Sequence, residues 1–300
     1  MTNAVNRRSF LKTSSAVGAG LGLMGLGVPG LAADPIAKGV PSAAKLGWRV
    51  SCCAYTFNQC TLYEAIEKIA ALGLHDVEGF AWQGLSPANR NVKTNESLSD
   101  DLRKEMKKRL DDAGVKMVSC YLSGLPNKED VCRKTFEFGK QMGMETFVAE
   151  PPPEAFDMLE KLCDKYKINL AIHNHPKPSS RYWNPDTVVA ACRGRSKRIG
   201  CCADTGHWVR SGLQPVECLK KLEGRLIEFH LKDIVEFGVV RSADCPWGTG
   251  KGDIEGILKE VLRQKAKVVF GIEYERHGDT MPDLVQSLAY FEKVAAALGG

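Results

Sequence analysis

The sequence has no Cys-x-x-Cys pair, no low-complexity segment and, after its first 33 residues, no apolar run long enough to span a membrane. A membrane span needs about 20 consecutive apolar residues, so the rest of the chain is not expected to cross a bilayer. Without a Cys-x-x-Cys pair, a structural zinc site is not expected. The chain also lacks a strong basic excess, which argues against nucleic acid as a partner.

The N-terminal segment differs in composition from the remainder. Residues 1–33 contain Arg7, Arg8 and Lys12 but no acidic residue, and a stretch rich in Gly, Ala and Leu follows the basic part. The run Asn-Arg-Arg-Ser-Phe-Leu-Lys resembles a twin-arginine export signal, and the small residues before position 34 suit cleavage. A lipid-embedded N-terminal helix is the alternative, although the stretch is only mildly apolar.

This segment predicts the domain organisation. We expect a twin-arginine signal peptide at 1–33, a linker at 34–47 and a single domain at 48–300. The protein would then be exported to the periplasm by the twin-arginine translocation machinery, with no stable membrane insertion after cleavage. The remaining chain of about 267 residues suffices for one large core. Its formal charge is +2, which is the +5 of the whole chain less the +3 of the segment.

All 11 cysteines follow the N-terminal segment. In an exported protein they suggest disulfides, but their number is odd and several fall in predicted strands, where cysteine acts as a small buried apolar residue. The cysteines in predicted strands are Cys52, Cys53, Cys120, Cys201 and Cys202. We therefore expect buried thiols rather than a disulfide framework.

The mature chain alternates short apolar runs with amphipathic stretches. Strands are predicted at 49–55, 74–79, 115–121, 145–149, 168–173, 198–203, 226–231 and 267–273, and helices at 61–72, 97–112, 128–142, 153–165, 185–193, 214–222, 253–264 and 281–298. Eight such pairs predict an α/β fold, a single (β/α)8 TIM barrel. An open doubly wound sheet would normally carry a glycine-rich loop after its first strand, and the residues at 55–59 contain no glycine.

Polar side chains concentrate where the predicted strands end, which is where barrel enzymes place their chemistry. Five of the six histidines lie there, as do several carboxylates. The residues are His173, His175, His207, His230 and His277, with Glu78, Glu150, Asp204, Glu273 and Glu275. Imidazoles and carboxylates converging on one rim predict a mixed nitrogen and oxygen site for one divalent metal ion, with Mn²⁺, Mg²⁺, Co²⁺ and Zn²⁺ as candidates.

Four motifs in order carry a resemblance to a known family. They are Asp-Thr-Gly-His at 204–207, His-Leu-Lys-Asp at 230–233, Pro-Trp-Gly-Thr-Gly-Lys-Gly at 246–252 and Gly-Ile-Glu-Tyr-Glu at 271–275. From about residue 48 to 298 the chain resembles the xylose isomerase-like TIM barrels, the sugar-phosphate isomerase/epimerase-like proteins. The resemblance implies a divalent metal held by Glu, Asp, His and Glu at the ends of strands five to eight.

Three of those family ligands have direct counterparts, and the fourth is replaced. The resemblance implies that Asp204, His230 and Glu273 are metal ligands and that His207 contacts either the substrate or one of the ligands. His173 stands where the family has a glutamate in strand five, and we expect it to be the fourth metal ligand. Because the replaced glutamate also serves as acid or base in the epimerase-type members, the proton-transfer role is open here, and imidazole is one group able to fill it.

Tryptophans on the loops after strands indicate a carbohydrate ligand, because indole faces stack on sugar rings. We assign substrate binding to Glu78, Trp82, His175, Trp183, Trp208 and Trp247, while loop packing is the alternative for the tryptophans. The substrate is expected to be a small-molecule carbohydrate. A homo-oligomer is compatible with the sequence.

These observations favour a metal-dependent isomerase or epimerase that acts on a keto-sugar or polyol derivative through an enediolate. Glu150, His173 or Glu273 would move the proton, and Lys232 or His207 would steady the oxyanion. The alternative is a metal-dependent sugar lyase or dehydratase, which eliminates a group from a 3-keto-sugar or an inosose. A noncatalytic sugar-binding barrel and a DNA-repair endonuclease are further alternatives, and near-neutral charge and export argue against the endonuclease.

Export is expected to depend on the arginine pair. The double change Arg7→Lys with Arg8→Lys keeps the charge but alters the motif that the translocation machinery reads. Cell fractionation should then show full-length precursor retained in the cytoplasm. Unchanged periplasmic accumulation would contradict the predicted export route.

Overall fold

The computed structural model describes residues 39–300, so the expected signal peptide at 1–33 and most of the expected linker lie outside the described residues. Eight parallel strands form the barrel. They are β1 (Arg49–Cys53), β2 (Asp76–Phe80), β3 (Lys116–Tyr121), β4 (Thr146–Ala149), β5 (Asn169–Ile172), β6 (Ile199–Asp204), β7 (Leu226–Leu231) and β10 (Val269–Ile272). Around the closed barrel their order is β1-β10-β7-β6-β5-β4-β3-β2. The predicted (β/α)8 barrel is confirmed.

Helices surround the barrel and join consecutive strands. They are α1 (Pro41–Lys45), α2 (Leu62–Ala71), α3 (Asp100–Asp112), α4 (Glu129–Met142), α5 (Phe156–Tyr166), α6 (Pro185–Cys192), α7 (Thr205–Arg210), α8 (Pro215–Lys221), α9 (Ile254–Gln264) and α10 (Met281–Gly299). Each of the eight predicted helices corresponds to one of these. In the described part of the chain, no helix combines the length and apolar character that crossing a membrane requires.

Local signals explain where these elements begin and end. Thr61 precedes α2, and its backbone N–H and hydroxyl donate to the Glu64 carboxylate at 2.8 and 2.7 Å. Thr61 and Glu64 thus form a capping box that fixes the first turn of the helix. Gly73 and Gly114 follow α2 and α3 with φ angles of 71° and 65°. This left-handed conformation, which glycine adopts without steric cost, turns the chain into the next strand.

The two faces of each barrel strand bury different kinds of side chain. Phe147, Leu170 and Phe229 belong to the large apolar cluster packed against the helices. Ala171 and Cys202 form a separate small buried cluster with Val148. Since side chains two residues apart in a strand share a face, these small residues lie on the same side as the polar residues that end their strands. All 11 cysteines are free, as expected, and ten of them are buried.

The end of the expected linker is folded. Residues 41–45 form α1, which packs against α10. The Ser42 hydroxyl and backbone N–H donate to the two oxygens of the Glu292 carboxylate at 2.6 and 2.9 Å. The linker boundary at residue 47 is therefore wrong for this helix, whose five residues are too few to give a clear helical period in the sequence.

A short antiparallel hairpin of β8 (Asp233–Ile234) and β9 (Asp244–Cys245) lies beyond the end of β7 and was not predicted. The carboxylate of Asp233, the first residue of β8, accepts hydrogen bonds from the backbone N–H groups of Gly248, Gly250 and Gly252 at 2.7–2.9 Å. A Cβ on Gly250 would collide with the same carboxylate. The glycines of the 246–252 motif are thus needed to wrap the loop around one carboxylate.

Candidate metal centre

Asp204 ends β6 and begins α7. Its Oδ1 accepts the backbone N–H of His207 at 2.7 Å, which caps the helix and leaves Oδ2 pointing into the barrel mouth. The backbone of Asp204 is clamped by the Asn174 amide, which accepts from its N–H and donates to its C=O, both at 3.0 Å. The Asp-Thr-Gly-His motif therefore fixes one free carboxylate oxygen at a strand end.

The four predicted ligands converge at this point. One ligand atom each from His173, Asp204 and His230 lies within 4.8 Å of the other two, and all three residues are buried. His173 Nε2 is 3.5 Å from Asp204 Oδ2. His230 Nδ1 is 3.9 Å from the same oxygen and 3.0 Å from Glu273 Oε2. Asp204 at the end of β6, His230 just before the end of β7, and the residues directly after β5 and β10 thus meet as the sequence predicts.

The hydrogen bonding of the buried ligand atoms tests whether a metal fits. His173 Nε2, Asp204 Oδ2 and His230 Nδ1 are inaccessible to solvent and make no hydrogen bond of regular geometry, although each lies 3.0–3.5 Å from another charged or titratable group of this cluster. An unpaired buried polar atom is costly, and native proteins rarely tolerate one without a compensating ion or water. Three such atoms within ligand distance of one another fit a divalent cation bound by nitrogen and oxygen.

Carboxylates behind two of the imidazoles orient them. His173 Nδ1 lies 3.2 Å from Glu150 Oε1, and His230 Nε2 lies 2.9 Å from Glu78 Oε1. Each carboxylate accepts the proton of one ring nitrogen and so leaves the other nitrogen free to face the centre. This is the usual arrangement behind metal-bound histidines.

Glu78 and Glu150 lie behind these imidazoles and not on the lining of the cavity above the centre. Substrate contact by Glu78 and direct proton transfer by Glu150 therefore do not fit the geometry. Glu150 is also bonded to His175 and to the Ser180 hydroxyl. Burial raises the pKa of Glu150, but the hydrogen bonds from His173 and His175 outweigh it and hold the pKa well below its usual range.

Lys232 supplies a buried positive charge among the carboxylates. Its Nζ is inaccessible to solvent and lies 3.0 Å from Asp204 Oδ2, 2.6 Å from Glu273 Oε2 and 3.1 Å from Glu275 Oε2. Burial alone would lower the pKa of Lys232, but the surrounding carboxylates raise it well above its ordinary value. The ammonium group therefore stays charged and contacts two of the oxygens that a metal would use.

His207 faces the same centre as a neutral imidazole. Burial lowers its pKa well below the ordinary value, and the nearby charges of Lys232 and Arg210 add to this effect against the attraction of Asp204. Arg210 Nη1 lies 3.1 Å from His207 Nδ1, so Nδ1 must accept and Nε2 must carry the proton. His207 Nε2 lies 3.5 Å from Asp204 Oδ2. The arrangement presents a fixed hydrogen-bond donor.

A cavity of about 260 Å³ opens above the centre. We call it the reaction cavity. It is lined by Tyr55, Phe80, Trp82, Tyr121, His173, His175, His207, Glu273 and Glu275. Its size suits one sugar ring, with aromatic side chains on one side and titratable groups on the other. Trp82 and His175 are where a substrate-binding role requires them.

The other predicted sugar-binding tryptophans lie elsewhere. Trp208 has no exposed surface, and Trp247 is only 2% exposed. Trp247 donates to the backbone oxygen of Leu231 at 3.0 Å and packs on Phe291. Trp183 is outside the reaction cavity and lies under the Lys177 ammonium group. The substrate-binding assignment is wrong for Trp208 and Trp247, because the turn of α7 and the glycine loop direct these rings into the core.

Sequence reasoning missed several residues of the site. Arg210 pairs with Asp244 of the hairpin at 2.7 Å and with Glu275 at 3.0 Å, so it joins α7, β9 and the end of the barrel. Its position three residues after His207, one helical turn away, was a usable signal. Tyr55 and Tyr121 follow β1 and end β3, where the rule that strand ends carry the chemistry applies to them as well.

Comparison with known proteins gives the class of protein. A family model described as the xylose isomerase-like TIM barrel matches residues 66–294. The chain therefore belongs to the xylose isomerase-like TIM barrel family. No curated protein matches the chain significantly.

Solved structures agree with this assignment. An uncharacterized protein from Parabacteroides distasonis is 31% identical, with 82% of this chain and 99% of that chain covered and a TM-score of 0.68. A xylose isomerase-like TIM barrel protein from Mycobacterium smegmatis in complex with magnesium is 15% identical, with 84% and 98% covered and a TM-score of 0.67. A sugar phosphate isomerase/epimerase from P. distasonis is 17% identical, with 81% and 95% covered and a TM-score of 0.62. At the two lower identities the likeness shows the fold alone.

The histidine pair after β5 separates two ways of holding a metal. His173 belongs to the inner group with Asp204 and His230 and also to an outer group with Glu150 and His175. If the inner group binds the ion, His173→Ala should lose nearly all metal, whereas His175→Ala should keep it. Metal content of the purified variants after dialysis, measured by mass spectrometry, decides this. Loss of metal in both variants would instead favour the outer group.

Removing the Lys232 charge should strengthen metal binding. Lys232→Met keeps much of the side-chain volume but removes the ammonium group from Asp204 and Glu273, while Glu275 keeps its pair with Arg210. Titration calorimetry with Mn²⁺ should show an affinity higher by about tenfold or more, because a unit charge a few ångströms away costs several kcal/mol. The metal-free variant should be destabilised by about 3 kcal/mol, the typical cost of breaking a buried ion pair.

The matched control for this experiment is Lys220→Met, because Lys220 is half-exposed and pairs with the exposed Glu217. It should change neither metal affinity nor the melting temperature of the metal-free protein. If Lys232→Met bound Mn²⁺ more weakly than the unchanged protein, Lys232 would support the metal rather than compete with it.

Proposed function

We propose that the protein is a metal-dependent isomerase or epimerase that acts on a keto-sugar or polyol derivative through an enediolate. The observation that carries the proposal is the convergence of His173, Asp204 and His230, whose buried ligand atoms lie within 4.8 Å of one another, with Glu273 Oε2 3.0 Å from His230 Nδ1 and a cavity of sugar size beside them. Membership of the xylose isomerase-like family supports it. Two structures of the same fold, described as a magnesium complex and as a sugar phosphate isomerase/epimerase, are in keeping with the proposal.

The four ligand residues would hold one divalent ion. When bound, the ion supplies Lewis acidity toward a carbonyl and a neighbouring hydroxyl of the sugar, which makes the C–H between them more acidic. Asp204 and Glu273 bring two negative charges and the two imidazoles bring none. The side chains of Glu150 and Glu78 keep these imidazoles in the orientation and tautomer that expose one nitrogen each.

Groups able to move a proton face the reaction cavity from two sides. Glu273 and Glu275 come from the end of β10, and His175 follows β5, which lies three strands away around the eight-stranded barrel. A sugar carbon held between them is within reach of a carboxylate on one side and an imidazole on the other. Removal of a proton by one group and return by the other gives epimerisation, and return to the adjacent carbon gives isomerisation.

Fixed donors would stabilise the negative oxygen of the enediolate. The Nε2–H of His207 is set by the Arg210 contact, and it stays neutral, so it donates a hydrogen bond without competing for the proton. The Lys232 ammonium group, which lies among Asp204, Glu273 and Glu275, adds a positive charge in the same buried place. Such prearranged donors are effective because burial excludes water from the charge they face.

Elimination is the second candidate, and the side chain after β5 favours it. His173 stands at the position where the family has a glutamate that acts as acid or base. Its Nδ1 bonds to Glu150, and its Nε2 faces the centre. If His173 binds the metal, it is not available for proton transfer. The remaining residues then fit a mechanism in which one base removes a proton from the ring and one acid protonates the leaving group. Loss of a β-substituent from a 3-keto-sugar or inosose has the same first proton abstraction.

Incubation of the metal-loaded protein with keto-sugars and inososes in D₂O tests both candidates. Proton abstraction should introduce deuterium beside the carbonyl, as detected by NMR, and chelation of the metal should abolish it. A stereoisomer or positional isomer identifies the first candidate, and an unsaturated product identifies the second. Glu273→Gln should reduce exchange at least about a hundredfold if it takes part in proton transfer. Stoichiometric metal without exchange on any tested compound would favour a noncatalytic sugar-binding barrel.

A further inference from the structure

A second cavity adjoins the reaction cavity. It measures about 420 Å³, and we call it the distal pocket. Its lining includes Asn58, Gln59, Arg90, Lys93 and His277, and it shares Tyr55, Phe80 and Trp82 with the reaction cavity. A single sugar ring above the metal centre would leave this adjoining volume free. The two cavities together are large enough for a ligand of more than one ring.

The wall between the cavities is a fixed aromatic platform. Trp82 is 39% exposed, which makes it one of the few large apolar side chains at the described surface. Its ring meets Phe80, Tyr55 and Tyr121 edge to face, with centroid separations of 5.1, 6.4 and 5.7 Å. Rings packed in this way hold each other in place. The exposed surface of Trp82 is therefore suited to stack on a sugar placed across the two cavities.

The distal pocket is positively charged. Arg90 and Lys93 line it, and no Asp or Glu of residues 39–300 does. The nearest partner of Arg90 is Glu64, at 3.4 Å, and this carboxylate already accepts two shorter bonds from Thr61. An exposed pair at that distance neutralises little of the arginine charge.

The loop that carries the two cations is held by its backbone. Leu85 donates to Val92 at 2.9 Å and Thr94 donates to Gln83 at 3.1 Å, so the segment closes on itself. The Thr94 hydroxyl adds a bond to the backbone oxygen of Phe80, beside the shared aromatic wall. The positions of the charges are thus tied to the wall of the reaction cavity, and this argues for a built subsite rather than for scattered surface lysines.

We infer that the distal pocket binds an anionic group of the substrate, either a carboxylate or a phosphate. This group lies one sugar ring away from the reacting carbons. This inference rests on the proposed function, because it takes the reaction cavity to hold the reacting ring. The amide side chains of Asn58 and Gln59 supply hydrogen bonds to neighbouring hydroxyls, and Arg90 and Lys93 recognise the oxyanion. The substrate class is accordingly an acidic sugar derivative rather than a neutral monosaccharide.

Calorimetric titration of the full-length, metal-loaded protein tests the inference with D-glucuronate, D-glucose 6-phosphate and neutral D-glucose as probes. At least one anionic probe should bind about tenfold more tightly than glucose, and the advantage should shrink as salt is raised. Preference between glucuronate and the phosphate identifies which oxyanion the pocket takes. Equal affinity of all three probes would overturn the inference.

Variants locate the binding. Lys93→Met and Arg90→Met should each weaken binding of the preferred anionic probe by about fivefold, the effect of about 1 kcal/mol for a partly exposed charge pair, and leave glucose binding unchanged. Lys104→Met is the control for net charge, because Lys104 lies on α3 outside the pocket and is largely exposed. If Lys93→Met and Arg90→Met behave like Lys104→Met, the pocket does not bind the anion.

The outcome is separable from that of the proposed function. Metal content and deuterium exchange report on the metal centre, while the probe affinities and their dependence on Arg90 and Lys93 report on the distal pocket. Charge-dependent binding without exchange would retain the subsite and reject the chemistry. Exchange on neutral sugars with no loss in the two variants would retain the chemistry and reject the subsite.

Discussion

The placement of charge at the mouth of the barrel is the constraint on which the rest of this site depends. Asp204, Glu273 and Glu275 bring three carboxylates close together, two of them buried, and such a group cannot stay ionised without positive charge beside it. Lys232 supplies that charge within 3.1 Å of all three. The metal-free protein can therefore keep its ligand carboxylates ionised and in place. Binding of a divalent ion then becomes an exchange of one cation for another.

The supporting structure follows from this constraint. Asn174 fixes the backbone of Asp204, the hairpin of β8 and β9 carries Asp244, and Asp244 receives the Arg210 guanidinium at 2.7 Å. Arg210 in turn determines which nitrogen of His207 carries the proton. Each charged group at the mouth has a partner of opposite charge or a backbone donor. The glycine-rich loop at 246–252 belongs to the same framework, since it closes around Asp233 next to Lys232.

The barrel and the grouping of the candidate metal ligands were predictable because both depend on short-range features of the chain. Strands and helices leave a period in the sequence, and parallel strands in a barrel bring their ends to one rim, so His173, Asp204, His230 and Glu273 could be grouped without coordinates. The directions of side chains outside regular strands could not be predicted in this way. Trp208 follows His207 immediately, yet one enters the core and the other faces the reaction cavity. The contacts of Lys232 likewise depend on three strand ends at once.

The histidine after β5 changes what the centre can hold. With a glutamate there the ligand set would carry three negative charges, whereas His173, Asp204, His230 and Glu273 carry two and offer two imidazole nitrogens. If these four residues hold a divalent ion as proposed, the lower charge would lessen the need for a compensating cation, and the Lys232 ammonium group would then be available to a substrate oxygen. Imidazole nitrogen also suits zinc and the later transition metals better than magnesium, which prefers oxygen. The same substitution thus links metal preference, the behaviour of Lys232 and the choice of proton-transfer group.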